Sequence, residues 1–426
     1  MEQREGYKKT KIGWIPEDWD CVKLGGIVNK VGSGITPRGG SKVYCDKGVP
    51  FFRSQNILHG TVSVKDIVYI SENLHQKMKN THLQPADVLL NITGASIGRC
   101  CVFPNNFKKG NVNQHVCIIR PDGTIKSQYL CSLLNSPIGQ KQIWNFQAGG
   151  NREGLNFQQI RSFILPLPPL PEQQKIADVL STVDDKISSI DQQIQQTEQL
   201  KKGLMEKLLT EGIGHTEFKD TEIGQIPASW DVVKLKTICH RIFVGIATST
   251  SEHYTNDGIP IIRNQNIKEN SISGDDLLKI TNDFNEKNHS KKLMVGDIIT
   301  ARTGYPGMSC VIPKKFEGAQ TFTTLVSRPN KERIFPHYLS RYINSDIGKK
   351  IVLSNQAGGA QQNLNAGRLK EIPIILPPLE EQKQIATILS SVDDKIDVLR
   401  SKKTSYTTLK KGLMGQLLTG QMRVKI

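Results

Sequence analysis

The chain contains no run of about 18 consecutive apolar residues, so nothing in it predicts a membrane-crossing helix. Mean hydropathy is −0.36, and no membrane partner is expected. The opening MEQREGYKKTK is charged and carries no apolar core, unlike a secretory signal, and a cytoplasmic location is the expectation. Aromatic residues make up only 6% of the chain. Eight cysteines are present without a C-x-x-C pair, six in the first half and only Cys239 and Cys310 in the second. Reduced, buried thiols explain that distribution better than a zinc site or a disulfide framework. The residue patterns of common catalysts are missing as well. There is no G-x-x-x-x-G-K-S/T phosphate loop, no H-E-x-x-H, no G-x-S-x-G, and no Asp/Asn-Pro-Pro-aromatic tetrapeptide of amino-methyltransferases. Gly32-Ser33-Gly34 is a lone G-x-G and reads as a turn. The expectation is a chain with no catalytic residues, no bound metal and no bound cofactor.

What the chain has in excess is positive charge. Lys and Arg number 56 against 40 Asp and Glu, a net +16. Such an excess suits a polyanionic partner, because neutralised phosphates release counterions. It also suits a generally basic protein.

The chain is written twice. TKIGWIPEDWDCVKL from Thr10 returns as TEIGQIPASWDVVKL from Thr221, with 10 of 15 residues identical. PPLPEQQKIADVLSTVDDKI from Pro168 returns from Pro377 with 14 of 20 identical, and LKKGLMEKLLT from Leu200 returns from Leu409 with 9 of 11. The offset stays between 209 and 211. Between these blocks the copies diverge, although FFRSQNI (51–57) still faces IIRNQNI (261–267), LQPADVLLNITG (83–94) faces LMVGDIITARTG (293–304), and QAGG recurs at 147 and 356.

The constant segment predicts a long helix. Pro171 and Glu172 suit its first turn. Apolar positions then step by four and three through Ile176, Leu180, Val183, Ile187, Ile190, Ile194, Thr197, Lys201, Leu204 and Leu208. The second copy runs from Ile385 to Leu417 in the same steps. Each helix is expected to cover about 38 residues, roughly 57 Å. Two such seams in one chain favour pairing over two separate amphipathic helices. The divergent segments predict short strands at VPFFR, DIVYI, DVLLNI and HVCIIR, followed by helical stretches over 127–146 and 336–354.

The opener I-P-x-x-W-x-x-x-K-L, the P-P-L-x-E-Q-x-x-I-A block and the following LKKGLM…LLT, each present twice, resemble the specificity subunit of type I restriction–modification systems over essentially the whole chain. The resemblance implies an α+β architecture. Two mixed α/β target recognition domains (1–166 and 213–375) are separated by two long antiparallel coiled-coil helices (167–212 and 376–426), with an internal pseudo-twofold duplication. It implies a non-catalytic subunit that binds a bipartite, asymmetric target in double-stranded DNA. Two methylase subunits and restriction subunits would be the partners. S-adenosylmethionine, and ATP with Mg for restriction, would sit on those partners. The short TAEL-type repeats of some relatives are not evident in DDKISSIDQQIQQTEQL.

Base edges are read by bidentate donors such as Arg, Asn and Gln, and phosphates by Lys, Arg, Ser and Thr. On that chemistry the first domain offers Thr36, Arg38, Arg53, Ser54, Gln55, Asn56, Thr93, Ser96, Arg99, Asn113, Gln114, Asn151 and Arg152. The second offers Thr248, Arg263, Asn264, Gln265, Arg302, Thr303, Tyr305, Gln361 and Gln362. Arg53 and Arg263 are shared between copies, which fits a structural or phosphate role as well as base reading. Lys201, Lys202, Lys410 and Lys411 repeat without change and suit either a solvated face or partner docking. A fused enzyme and a coiled-coil scaffold with peptide-binding domains are the competing classes. The absent catalytic motifs argue against the first, and the charge and polar loops against the second.

Overall fold

The computed structural model describes residues 4–147, 154–354 and 363–425. The chain folds as two units, Met1–Asp191 with Ser401–Ile426, and Gln192–Arg400. Each long helix therefore gives one half to each unit.

The first unit opens with a hairpin, Tyr7–Thr10 on Gly13–Pro16. Asp20–Lys23 then pairs with Ile164–Leu167, the strand that leads into the first long helix. The domain core is a four-stranded antiparallel sheet in the order Val28–Ser33, Val116–Pro121, Val88–Asn91, Cys100–Val102. Beside it Val68–Ile70, Val49–Phe52 and Asn111–Val112 form a three-stranded sheet, antiparallel and then parallel. The four predicted β runs are all strands. Val88 to Leu90 are fully buried, as a strand covered on both faces requires.

The second unit repeats this plan. Its four-stranded sheet is Cys239–Val244, Leu325–Pro329, Ile298–Thr300, Ser309–Val311, and its three-stranded sheet is Leu278–Ile280, Tyr254–Arg263, Gln320–Phe322. Even the buried polar joint is copied. Arg120 grips Asp87 at 2.7 and 2.8 Å in one domain, and Arg328 grips Asp297 at 2.9 Å through both oxygens in the other. In each case the carboxylate also accepts a backbone N–H three residues before it, from Gln84 and from Met294.

Each predicted helical stretch is a pair of helices rather than one. Ser127–Asn135 is followed by Pro137–Gln147, and Pro336–Asn344 by Asp346–Ser354. Ser136 and Ser345 break the run, their hydroxyls accepting from the next turn's N–H groups. Glycine is required just beyond. A Cβ at Gly139 would lie 2.5 Å from the Leu133 carbonyl oxygen, and one at Gly348 2.1 Å from that of Tyr342.

The long helices run Leu170–Thr210 and Leu379–Leu417, 41 and 39 residues. Every seam position named from the sequence is buried or half-buried. In the first unit Lys403 meets Asp191 and Lys410 meets Asp184, both at 2.6 Å. In the second, Arg400 meets Glu198 at 2.8 Å and Lys201 meets Asp393 at 2.9 Å. Residue numbers rise along one helix as they fall along the other, so within each unit the helical halves pair antiparallel. Three lysines in the seam are thereby neutralised by aspartates across it, which lowers the cost of placing charge at an apolar position.

The thiols are unpaired, and Cys100, Cys101, Cys117, Cys131 and Cys310 are buried. Burial pushes the Cys117 and Cys310 thiols up to about 12, and those of Cys100 and Cys101 well above their ordinary value. Thiolate is the reactive form. Native protein at neutral pH should therefore give rapid labelling at Cys21 and Cys45, and label its buried thiols only on unfolding. Fast native labelling of Cys101 or Cys117 in a mass-mapped digest would contradict this core.

Candidate nucleic-acid interface

In the first domain, four separate segments meet at one polar surface. The chain leaves the Val28–Ser33 strand through Gly34, where a Cβ would lie 1.7 Å from the Val112 carbonyl oxygen. Glycine alone permits that approach, and it lays Thr36 against the side chain of Gln114. Thr93 Oγ1 lies 2.6 Å from His115 Nδ1. Asn91 donates to Ser96 Oγ at 3.0 Å and to the Ser54 carbonyl at 2.8 Å. Arg38, Gln55 and Gln114 are exposed here, while Thr93, Ser96 and Arg99 are half-buried.

The second domain builds the same place from different residues. Gly245 makes the equivalent close approach, to Thr321. Asn264 donates to Thr323 Oγ1 at 3.3 Å and accepts from the Arg302 backbone N–H at 2.8 Å. Arg302 Nε donates to the Leu364 carbonyl at 3.2 Å and to Asn363 Oδ1 at 3.3 Å. This steadies one edge of its guanidinium. Thr248, Gln265 and Thr303 are exposed, and Tyr305 is 75% exposed at the tip of the loop.

Several sequence-selected residues do other work. Arg53 and Arg263 donate through Nη2 to the carbonyls of Asp66 (2.7 Å) and Asp276 (2.6 Å). Asn56 is fully buried, accepts from the Arg53 N–H and donates to the Ser63 and Lys65 carbonyls. These three residues close a loop that both domains share. Asn113 is 8% exposed and accepts from the His115 N–H. Asn151, Arg152, Gln361 and Gln362 lie outside the described residues. Among the lysines, Lys201 and Lys410 are spent on the helix seam, Lys202 reaches Asp346 at 3.4 Å, and Lys411 is exposed.

Sequence reasoning named Ser54 among the candidates but missed Asn91 and Thr323. Thr323 could have been found from register, since QTFTT holds the place that NVNQH holds in the first copy. It also has a left-handed backbone, φ +53°, which a β-branched residue rarely adopts.

Chemically, both surfaces offer hydroxyl, amide and guanidinium groups, and the first adds the His115 imidazole. All suit hydrogen bonding with base edges and phosphates. Groups with displaced ionisation include the buried thiols and Tyr129 and Tyr338, where burial raises the phenol, and these lie outside the two clusters. Among the described residues no cluster of His, Cys, Asp or Glu could hold a metal ion, and no helix is long and apolar enough to cross a membrane.

A second contact set ties each domain to its helices, and it explains the repeated blocks. Trp19 is fully buried, and its indole N–H donates to Glu172 at 3.0 Å. Arg423 donates to both oxygens of Glu172 and to both of Asp18, at 2.7–2.9 Å. Its guanidinium holds the Asp18 carboxyl below the usual range. In the second unit Trp230 donates to Glu381 at 2.9 Å, and the Ile213 N–H and His215 take the place of Arg423. The neighbouring Gln173 and Gln382 each cap the loop before the helical hairpin, accepting from Lys126 N–H and Phe335 N–H.

Two divergent polar surfaces on one repeated domain, each anchored to a shared helix pair, define a duplicated recognition module. The family model for the type I restriction modification DNA specificity domain matches residues 16–199 and 227–405, and the chain belongs to that family. It is 31% identical, over 99% of its length and 98% of the relative's, to a Methanocaldococcus jannaschii protein assigned as the MjaX type I specificity subunit. It is 20% identical to the EcoKI specificity subunit of Escherichia coli, covering 88% of this chain and 82% of that one. A solved chain from a type I restriction–modification complex covers 96% of this chain and 99% of its own (TM-score 0.58, 16% identity). The S subunit of M. genitalium covers 98% of each (TM-score 0.58, 12% identity). The chain is thus a non-catalytic DNA-recognition subunit, with the α+β fold expected of it.

Proposed function

We propose that each domain reads one half of a split, asymmetric site in double-stranded DNA. In this reading the paired helices fix the spacing, and the chain directs adenine methylation by two methyltransferase subunits, or restriction when nuclease subunits join. S-adenosylmethionine, and ATP with Mg, belong to those partners, and the work is done in the cytoplasm. The observation that carries this reading is the contrast between the two polar surfaces. At aligned positions Ser54, Ile92, Ala95 and Gln114 of the first domain give way to Asn264, Arg302, Tyr305 and Thr323 of the second. Identical surfaces would read a palindrome, whereas different ones read different half-sites.

The test is DNA affinity of the assembled complex on its methylated motif. Arg302→Ala should weaken binding by about 10- to 100-fold, the usual worth of an Arg contact to a base edge. Tyr305→Ala, exposed and free of packing duties, should weaken it without altering thermal stability. Both losses should map to one half-site. Unchanged affinity in both variants would remove this surface from the DNA. Affinity should also fall linearly on a log–log plot against salt.

A further inference from the structure

The two domains differ across their polar surfaces, yet one exposed amide there is the same in both. Gln55 and Gln265 hold the same place in RSQNI (53–57) and RNQNI (263–267). The identical residues around them are explained by contacts inside the chain. Arg53 and Arg263 donate to the carbonyls of Asp66 and Asp276. Asn56 and Asn266 are buried and accept from the N–H groups of those arginines, both at 3.0 Å. They also donate across the loop, to the carbonyls of Lys65 and Asp275. Ile57 and Ile267 are buried in their domain cores. Gln55 and Gln265, by contrast, are exposed, and among the described residues neither side chain has a hydrogen-bond partner. Packing and internal bonding therefore do not demand glutamine here.

The backbone nonetheless holds this amide in a defined place. Each glutamine is the middle residue of a one-turn 3-10 helix, Ser54–Asn56 or Asn264–Asn266, between the locked arginine and the locked asparagine. The first residue of that turn ties it to the loop whose residues diverge. Asn91 donates to the Ser54 carbonyl at 2.8 Å in one domain, and Asn264 Oδ1 accepts from the Arg302 N–H at 2.8 Å in the other. A constant amide thus stands on a rigid turn beside positions that vary, the arrangement a geometry-dependent contact requires.

A contact that does not change serves a feature that both half-sites share. In the reading above, two features are shared: the phosphate backbone and the adenine that receives the methyl group. Phosphate oxygens only accept, and Arg or Lys meets them with more strength than a neutral amide. A primary amide offers a donor and an acceptor side by side, and N7 with the N6 amino group of adenine is the matching pair in the major groove.

We propose that Gln55 and Gln265 each grip the target adenine of their own half-site while it is stacked in the duplex. The amide nitrogen donates to N7 and the amide oxygen accepts from N6. The divergent residues around them read the bases that differ. The proposal rests on the adenine-methylation reading above and adds to it the side chains that locate the reacting base.

The assembled complex is titrated, without methyl donor, onto an unmethylated duplex carrying its motif. In one half-site or the other the target adenine is replaced by 7-deazaadenine, which pairs with thymine but lacks the N7 acceptor. Wild type should lose about tenfold in affinity at either position, the effect of leaving a donor unpaired in a closed interface. Gln55→Ala should bind the unmodified duplex about 10- to 100-fold more weakly. It should lose nothing further from 7-deazaadenine in one half-site and keep full sensitivity in the other. Gln265→Ala should do the reverse. Both side chains are exposed, so both variants should melt and assemble like wild type. Protein and DNA losses that multiply, alanine variants that bind like wild type, or a wild type indifferent to N7 would overturn the proposal. Equal weakening of the variants on the motif and on motif-free DNA would overturn it too, by assigning the glutamines to phosphates. A wild-type complex that binds motif and motif-free DNA equally would instead overturn the split-site reading, and this inference with it.

Discussion

Glu172→Ala should unfold the first unit at a markedly lower temperature and leave the second unchanged. Glu172 is buried and serves two donors, the indole of Trp19 and the guanidinium of Arg423. Its removal strands a fully buried Trp N–H and takes the central acceptor from a partly exposed cation. Leaving such groups unpaired costs about 2–4 kcal/mol. For a unit of this size that lowers the melting temperature by roughly 5–15 °C. Glu381→Ala should do the same to the second unit through Trp230, His215 and the Ile213 N–H. Calorimetry of the two variants should show different transitions moving. Glu172→Gln, which keeps an acceptor for the indole but loses the charge, should fall between. Removing residues 419–426 should mimic Glu172→Ala in part, because Arg423 goes with them. If either alanine variant melted like wild type, the joint would be incidental to the fold.

Exchange of the first domain's interior should rewrite half of the DNA target. The joints say where to cut. Trp19, Asp18 and the strand Asp20–Lys23 belong to the helix attachment, so residues 25–162 are the segment to replace with that of a related subunit. The chimera should direct methylation to a motif with one new half and the other half intact. A change in both halves would mean that the domains do not read independently. Loss of all methylation with the complex still assembled would mean that the replaced segment does not read bases by itself.

The sequence made the architecture legible because duplication supplied an internal comparison. Residues common to both copies mark joints and cores, and the seam from Ile176 to Leu208 held at every position because a four-and-three period admits one buried stripe. Glu172 was read only as a favourable charge at a helix start. Its partners lie 153 and 251 residues away, and no local pattern announces such a pairing. The Ser136 and Ser345 breaks were missed for a related reason, since the required glycines answer to backbone approach rather than to periodicity. At the candidate DNA surface, residue type was a partial guide. It found Thr36, Thr93, Gln114, Asn264 and Arg302, which the fold brings into two clusters. It also selected Arg53, Asn56 and Arg263, whose polar groups close loops inside the chain. Arginine and asparagine serve both purposes, and only the partners distinguish them. Thr323 was invisible until strand pairing aligned the copies.

The most direct test of a two-domain DNA reader is a genome-wide map of N6-methyladenine, in cells with the methyltransferase partner and with or without this chain. A split, asymmetric motif methylated on both strands, and lost when the chain is absent, is the result expected. A continuous or palindromic motif, or methylation that persists unchanged without the chain, would contradict the account.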